Sequence, residues 1–467
     1  MSMHRSRTLL AALLVSTALA PAASGAPERE KPPEPGAPAP FRLPAARRLT
    51  LPGGLKVVLV PYGTVPKALV RLTVQAGNAN DPDGQVWMAD LAGEYLLEGT
   101  RARGASRIAE EAAGMGGELN VQASENLTTI GGEVLSEFAP AMVDLVADVV
   151  RNPLFPESEL VRLKSNLERR LSIAKSQSGQ MAAEAFRAAL YPGQPYGRLF
   201  PSAGALATYT AADARAFWTG HFGANRSTLY VVGAFDAGAT EAAVRRAFGG
   251  WRAAGAPAAP TPKGSTKRTL TTVDRPGASQ STLWLGMPVV DPSSPDYVPL
   301  LVTNALLGGS FGSRITSNIR EQKGYTYSPG SQVSVRRQGA FWAEVADVTT
   351  NVTGASIKEI LGEIDRLRAA PPSSAELKGI QNYLSGTFVL QNSTRAGIAN
   401  QLQFLELHGL PESYLSGYVA RVHAVTPDEV TRIARAYLKP EEATLVVVGD
   451  LKLVDEQIKP YAPAGKP

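Results

Sequence analysis

Two stretches decide the architecture: TAADARAFWTGHFGANRSTLYVVGAF, residues 210–235, and TPDEVTRIARAYLKPEEATLVVVGDL, residues 426–451. They align without a gap at a constant offset of 216, which carries Thr210 onto Thr426 and Gly233 onto Gly449. Each opens on a threonine followed three residues later by an acid, Asp213 or Glu429, the pairing that satisfies free N–H groups at a helix start. Each then passes through a polar turn into a β-branched run, STLYVVG or ATLVVVG, which reads as a strand. Agreement over so long a run within one chain predicts an internal duplication.

Working outward, each half carries strand patterns and long amphipathic helices. LKVVLVPY (55–62) and ALVRLTVQAG (68–77) read as strands. ESELVRLKSNLERRLSIAKSQ (157–177) sets Leu160, Leu163, Leu167, Leu171 and Ala174 on one helical stripe. TGASIKEILGEIDRL (353–367) repeats the device with Ile357, Ile360, Leu361, Ile364 and Leu367. Two Pro-rich stretches, 27–44 and 253–267, punctuate the chain. The expected architecture is therefore α+β: two tandem homologous domains, 45–252 and 268–460, each a mainly antiparallel sheet packed with helices.

The 467 residues contain no cysteine, which excludes disulfides, thiol catalysis and a Cys-type zinc site. The net charge of +5 includes no run of basic residues interleaved with aromatics, so nothing points to nucleic acid. Residues 1–26 place Arg5 and Arg7 before an apolar block from Thr8 to about Ala20, too short for a membrane span. That is the layout of a signal peptide, with Ala20-Pro21-Ala22 or Ser24-Gly25-Ala26 as cleavage sites. It predicts an exported protein, in a bacterial periplasm; a mitochondrial presequence is the alternative.

The stretch VWMADLAGEYLLEGT (86–100) poses the chemical problem. Asp90 and Glu94 stand four apart and share one face of a helix that is otherwise apolar. Buried carboxylates are costly without a cation. The histidines are His4, His221, His408 and His423; none has a second His or a Glu at metal-ligand spacing, and each reads as a core or loop residue. No nucleophile elbow, Walker loop or dinucleotide fingerprint stands in a convincing strand-to-helix context.

Several motifs together resemble the pitrilysin/insulinase-type zinc metallopeptidases, which carry an inverted His-x-x-Glu-His motif. They are AGNANDPDGQ (76–85), LLEGT (96–100), NPLFPESEL (152–160), YGRLFPSAGALATYTAADARAFWTGHF (196–222), GGSFGSRITSNIREQKGYTYS (308–328) and VTPDEVTRIARAYL (425–438). The resemblance is to the group of two fused, similar domains that pair as clamshell dimers, mitochondrial processing peptidase among them. Aligned on LLEGT, the resemblance puts the family's first His at Asp90, its general-base Glu at Gly93 and its second His at Glu94. The distal Glu ligand falls on Arg170; Glu168 lies on another side of that helix. Such a set implies no zinc bound by this chain. Arg170 follows Leu167 by three residues and Leu163 by seven, on the inward stripe, so its guanidinium is expected to replace the metal as the cation facing Asp90 and Glu94. The alternative is that Arg170 reaches solvent and the acids find backbone or water partners.

In the second half, Ile315 and Ile319 mark a helix, Gly324 its stop, and YTYS the start of a strand. Arg320 then lies in the last helical turn and Tyr327 on the adjoining strand. The resemblance implies that this pair reaches across the clamshell and holds the substrate carbonyl and its developing oxyanion. Without it, they read as a dipole-complementing Arg and an ordinary strand Tyr. The loop glycines Gly308, Gly309 and Gly312 match a loop thought to contact peptide. Substrate peptides in the family add as a strand to a sheet edge, and GELNVQASENLTTIGGEV (117–134) matches that region by position. The implied function is a non-catalytic subunit of a heteromeric zinc peptidase, with zinc in a partner subunit and a peptide as substrate. The alternative is an inert binding or structural protein of the same fold, like the core subunits of respiratory complexes.

Overall fold

The alternating pattern of the β-branched runs becomes two sheets of matching plan in the computed structural model, which describes residues 41–255 and 259–463. The expected signal segment and most of the Pro-rich leader lie outside the described residues. β1 (Arg47–Thr50), β2 (Lys56–Pro61), β3 (Lys67–Val74), β4 (Asn120–Ala123), β5 (Thr128–Leu135) and β6 (Ser227–Gly233) form one sheet in the order β1-β2-β6-β3-β5-β4. β7 (Thr269–Asp274), β8 (Gln280–Val289), β9 (Gly330–Arg336), β10 (Gly339–Thr349) and β11 (Thr444–Gly449) form the other, in the order β7-β11-β8-β10-β9. With β1 set aside, the two orders coincide. Each sheet has one parallel pair, β2 with β6 and β7 with β11, and is otherwise antiparallel. The fold is α+β and built twice.

The duplicated segments fold as their sequences require. Thr210 accepts the Asp213 N–H at 3.1 Å while Asp213 accepts the Thr210 N–H at 2.9 Å, a reciprocal cap on the Ala211–His221 helix. Thr426 accepts the Glu429 N–H at 3.2 Å and caps Pro427–Tyr437. β6 and β11 follow, and every residue of both is buried. A strand buried on both faces needs apolar side chains at every position rather than at alternate ones. Leu229 and Val231 of β6 enter the first-half core, whereas Tyr230 and Val232 enter a separate cluster on the opposite face. Leu445 and Val447 of β11 face the second-half core, and Val446 and Val448 the opposite side.

What covers those opposite faces is exchanged between the halves. The Ser178–Leu190 helix of the first half lies across the second sheet, packing Ala182, Phe186 and Leu190 against Phe341, Ala343, Val446 and Val448. The Arg395–His408 helix of the second half lies across the first sheet, packing Ile398, Ala399 and Leu402 against Val58, Val60, Leu69, Tyr230 and Val232. Polar pairs rim the second seam: Arg395 grips Glu133 with two bonds of 2.9 and 3.0 Å, and Arg71 donates to Asn400 at 2.6 Å. Gly286 in β8 makes room for the first helix, since a Cβ there would sit 2.7 Å from Phe186 Cζ.

Three local departures from the sequence reading have physical causes. The Asp90 helix spans only Met88–Tyr95; Trp87, at φ +73°, stands before it in the left-handed region. Asp81 fixes that start by accepting the N–H groups of Trp87 and Ala89, both at 2.8 Å. The segments Ala305–Gly309 and Thr316–Gln322 wind as π-helix, a wide turn that recurs at functional sites. Tyr327 is not on a strand. Ser328 and Pro329 intervene before β9, and proline has no N–H to give a ladder.

Glu344 in β10 is fully buried, and neither carboxyl oxygen has a hydrogen-bond partner. Burial pushes its carboxyl well above the usual range, which favours the neutral form in the folded chain. Gly308 lies over it: a Cβ there would stand 2.5 Å from Glu344 Oε2. A neutral buried acid stabilises fully below its unfolded pKa, and that contribution is lost as pH rises through the folded value. Urea midpoints of the wild type should therefore fall between pH 5 and 8 more than those of Glu344→Gln. Phe186→Ala should cost about 3–5 kcal/mol in the same assay.

Candidate functional site

The short Met88–Tyr95 helix and the long Leu160–Ser176 helix bring Asp90, Glu94 and Arg170 together. Leu163 and Leu167 bury the long helix, while Arg170 stands at the rim with its side chain 46% exposed, less inward than the stripe implies. From there its Nη2 donates to Asp90 Oδ1 at 2.6 Å, and Nη1 lies 3.6 Å from Glu94 Oε1. The Trp87 ring supports the guanidinium from one face, with Cζ 4.4 Å from the ring centroid. Asn78 Nδ2 gives Asp90 Oδ2 a second bond of 2.6 Å. Burial raises the Asp90 carboxyl against the opposing pull of Arg170 and Asn78. It raises Glu94 to about 7; Arg170 opposes, and Asp90 and Glu98 add to the rise. One guanidinium thus serves two acids, and Glu94 is the one left to titrate near neutrality.

Gly93 faces β4, where a Cβ would lie 3.1 Å from Val121 Cγ1. Two carboxylates and a guanidinium do not make a zinc donor set, which takes three imidazole or carboxylate ligands and an open position. Among the described residues no cluster of three or more His, Cys, Asp or Glu could hold a metal ion. The histidines have structural settings. His221 packs on Phe217 and is lowered to about 4 by burial and by Arg226; His408, beside Phe404, is lowered to about 4 by burial. His423 Nε2 shares a 3.0 Å bond with Ser385 Oγ.

The second half gathers Arg320 and Tyr327 at a cavity of ≈ 360 Å³ that Gly308, Gly309, Phe311 and Tyr383 also line; Gly312 is outside its wall. Gly324, at φ +64°, ends the π-helix, with its N–H on Arg320 O at 3.1 Å and the Tyr325 N–H on Ile319 O at 2.8 Å. Thr326 Oγ1 donates to Asp347 O at 2.6 Å and pins the next residue outward. Arg320 Cζ sits 4.4 Å from the Phe311 ring and 5.3 Å from the Tyr327 ring, between two aromatics that are 73% and 80% exposed. Its Nη1 is 2.9 Å from Glu321 Oε1 yet makes no hydrogen bond. A guanidinium held between two aromatic rings beside a phenol is suited to an oxygen that gains negative charge.

A third feature escapes sequence reasoning. Beside Asp90, a cavity of ≈ 300 Å³ is walled by Trp87, Glu125, Arg170, Arg187, Arg198 and Phe200. Arg187 and Arg336, both buried, converge on Glu125 Oε1. Although burial opposes ionisation, Arg336 and Arg187 hold the Glu125 carboxyl at about 2. The only signal was an arginine inside the apolar run MAAEAFRAAL (181–190); its partners come from distant segments.

The chain matches two family models in succession: Insulinase (Peptidase family M16) over residues 56–200, and Peptidase M16 inactive domain over residues 208–384. It is 25% identical to an uncharacterized zinc protease of Streptomyces coelicolor, over 87% of this chain and 90% of that one. It is 23% identical to the probable mitochondrial-processing peptidase subunit beta of Arabidopsis thaliana, over 88% of this chain and 79% of that one. A peptidase M16 inactive domain from Pseudomonas fluorescens superposes with a TM-score of 0.80 at 23% identity, covering 86% of this chain and 98% of that one. A protease from Helicobacter pylori gives 0.81 at 20% identity, covering 87% and 100%. These two structures share the fold.

Removing the Arg170 cation leaves Asp90 and Glu94 facing each other. Because Glu94 protonates near 7, the harm should grow with pH. Arg170→Met is expected to lose about 1–2 kcal/mol at pH 8, half exposure of the guanidinium having been allowed for, and clearly less at pH 5. Urea denaturation at the two pH values reads the difference.

Proposed function

Since the chain belongs to the insulinase family of peptidases, family M16, and carries Asp90, Gly93, Glu94 and Arg170 where family zinc ligands and base align, we propose that it is a non-catalytic subunit of a heteromeric zinc peptidase. The observation that carries this reading is the asymmetry between the halves. Acids and an arginine fill the first-half site through an ion pair of 2.6 Å. The second half presents the Arg320 guanidinium, ion-paired to its chain neighbour Glu321, between two exposed aromatics. A site that lacks a base yet keeps an oxyanion-stabilising pair is of use only to chemistry supplied from elsewhere.

In this reading a partner chain with His-x-x-Glu-His supplies zinc, which would activate water there. Arg320 and Tyr327 donate to the oxygen of the scissile carbonyl as it becomes negative, and Gly308 and Gly309 line the same cavity. β4 and β9 each end their sheet, so either edge could accept an added strand. Export into a periplasm belongs to the same reading and rests on residues 1–26.

Purified alone, the chain should hold no stoichiometric zinc by elemental analysis and should cleave no peptide in a quenched-fluorescence library. Combined with a His-x-x-Glu-His chain co-purified from its source, it should restore cleavage. Arg320→Ala and Tyr327→Phe should each lower kcat by about 100-fold with assembly unchanged. Full turnover in both variants would remove them from the mechanism; zinc-dependent cleavage by the chain alone would end the proposal.

A further inference from the structure

The cavity beside Asp90 is bordered by more buried guanidinium donors than the protein itself satisfies. Arg187 and Arg336 are 7% and 8% exposed and share one oxygen of a single carboxylate, Glu125. That group of three keeps a net positive charge in the interior, and an uncompensated buried ion costs several kcal/mol. The neighbouring acids are engaged. Asp90 is held by Arg170 and Asn78, and Asp81 by the Trp87 and Ala89 N–H groups. Arg198 uses Nη1 on Asp83 at 2.8 Å and Nη2 on Asp81 O at 3.1 Å. The Nε atoms of Arg187, Arg198 and Arg336 are all buried without a hydrogen-bond partner. Each such donor is costly to leave unmade.

Position says what could supply the missing charge. Ala123, the last residue of β4, lines the cavity together with Ser124 and Glu125, and β4 is the outermost strand of its sheet. A peptide added along that edge would direct alternate side chains toward this end of the sheet. Trp87 and Phe200, edge to face at 5.8 Å, offer an apolar flank for the methylenes of such a side chain.

We propose that this cavity is a subsite for the carboxylate of an acidic side chain, Asp or Glu, on a bound peptide, with Arg187 and Arg198 as its donors. The proposal rests on the reading of the chain as a peptide-binding subunit and adds a preference for acidic peptides. The same cradle that lost its metal thereby acquires a specificity for anions, carried by residues next to the Asp90–Arg170 pair.

Titration calorimetry on the isolated chain tests it without any partner, using acetylated and amidated octapeptides that differ only in one central Glu or Gln. The Glu peptide should bind at least about tenfold tighter than the Gln peptide. Arg198→Gln, which does not touch the Arg187–Glu125–Arg336 group, should abolish that difference. Arg187→Gln should do the same, with circular dichroism to check its fold. Equal binding of the two peptides would overturn the carboxylate subsite and leave peptide binding standing. Binding of neither would overturn both readings. Displacement of the Glu peptide by inorganic phosphate at matching concentration would overturn the peptide assignment in favour of a free anion.

Discussion

The reciprocal exchange of helices is the constraint on which everything else depends. Each sheet has one face on its own core and one face that only the other half can cover. Phe186 sits among Trp284, Phe341 and Val446, and Leu402 sits among Val58, Leu69 and Tyr230. Fully burying one such large apolar side chain contributes about 1.5–3 kcal/mol. The exchange also positions the chemistry. Arg187 belongs to the helix that crosses onto the second sheet, and Arg336 ends β9 of that sheet; their meeting on Glu125 is therefore a product of the interlock.

Within that frame the two halves have diverged electrostatically. In the first, a guanidinium is the cation that faces Asp90 and Glu94, and it differs from a metal ion in kind. It is planar, singly charged and a donor only, so it can neutralise one carboxylate and attract a second, but cannot activate a water. The geometry follows that limit: Asp90 has the short bond and Glu94 the long one. In the second half, the Arg320 guanidinium lies between Phe311 and Tyr327 and pairs with its chain neighbour Glu321. One arginine bridges two acids of a neighbouring helix, the other sits between exposed aromatic rings at a cavity wall.

Much of this was legible in the sequence because the signals were local or repeated. The offset that joins Thr210 to Thr426 gave the duplication, and the capped helices and buried strands follow it residue by residue. The approach of Arg170 to Asp90 and Glu94 could be anticipated from the family resemblance together with the place of Arg170 on its helical stripe. Other features depend on contacts that no period encodes. The unbroken run LYVV within STLYVVG announces two covered faces without saying which helix covers the second. A π-helix leaves no residue signature, so the winding around Arg320 was read as ordinary helix and that around Gly308 as a loop. Tyr327 was drawn into a strand by its aromatic neighbours, whereas the Ser328-Pro329 pair delays the ladder to Gly330. The Glu125 group joins three segments and has no spacing to detect.

The exchanged helices have one more consequence. Since each half wears part of the other as its outer coat, severing the connection near residue 260 would not release two independent bodies. The pieces would stay clasped, and either one produced separately would present a bare sheet face to water and seek a substitute cover.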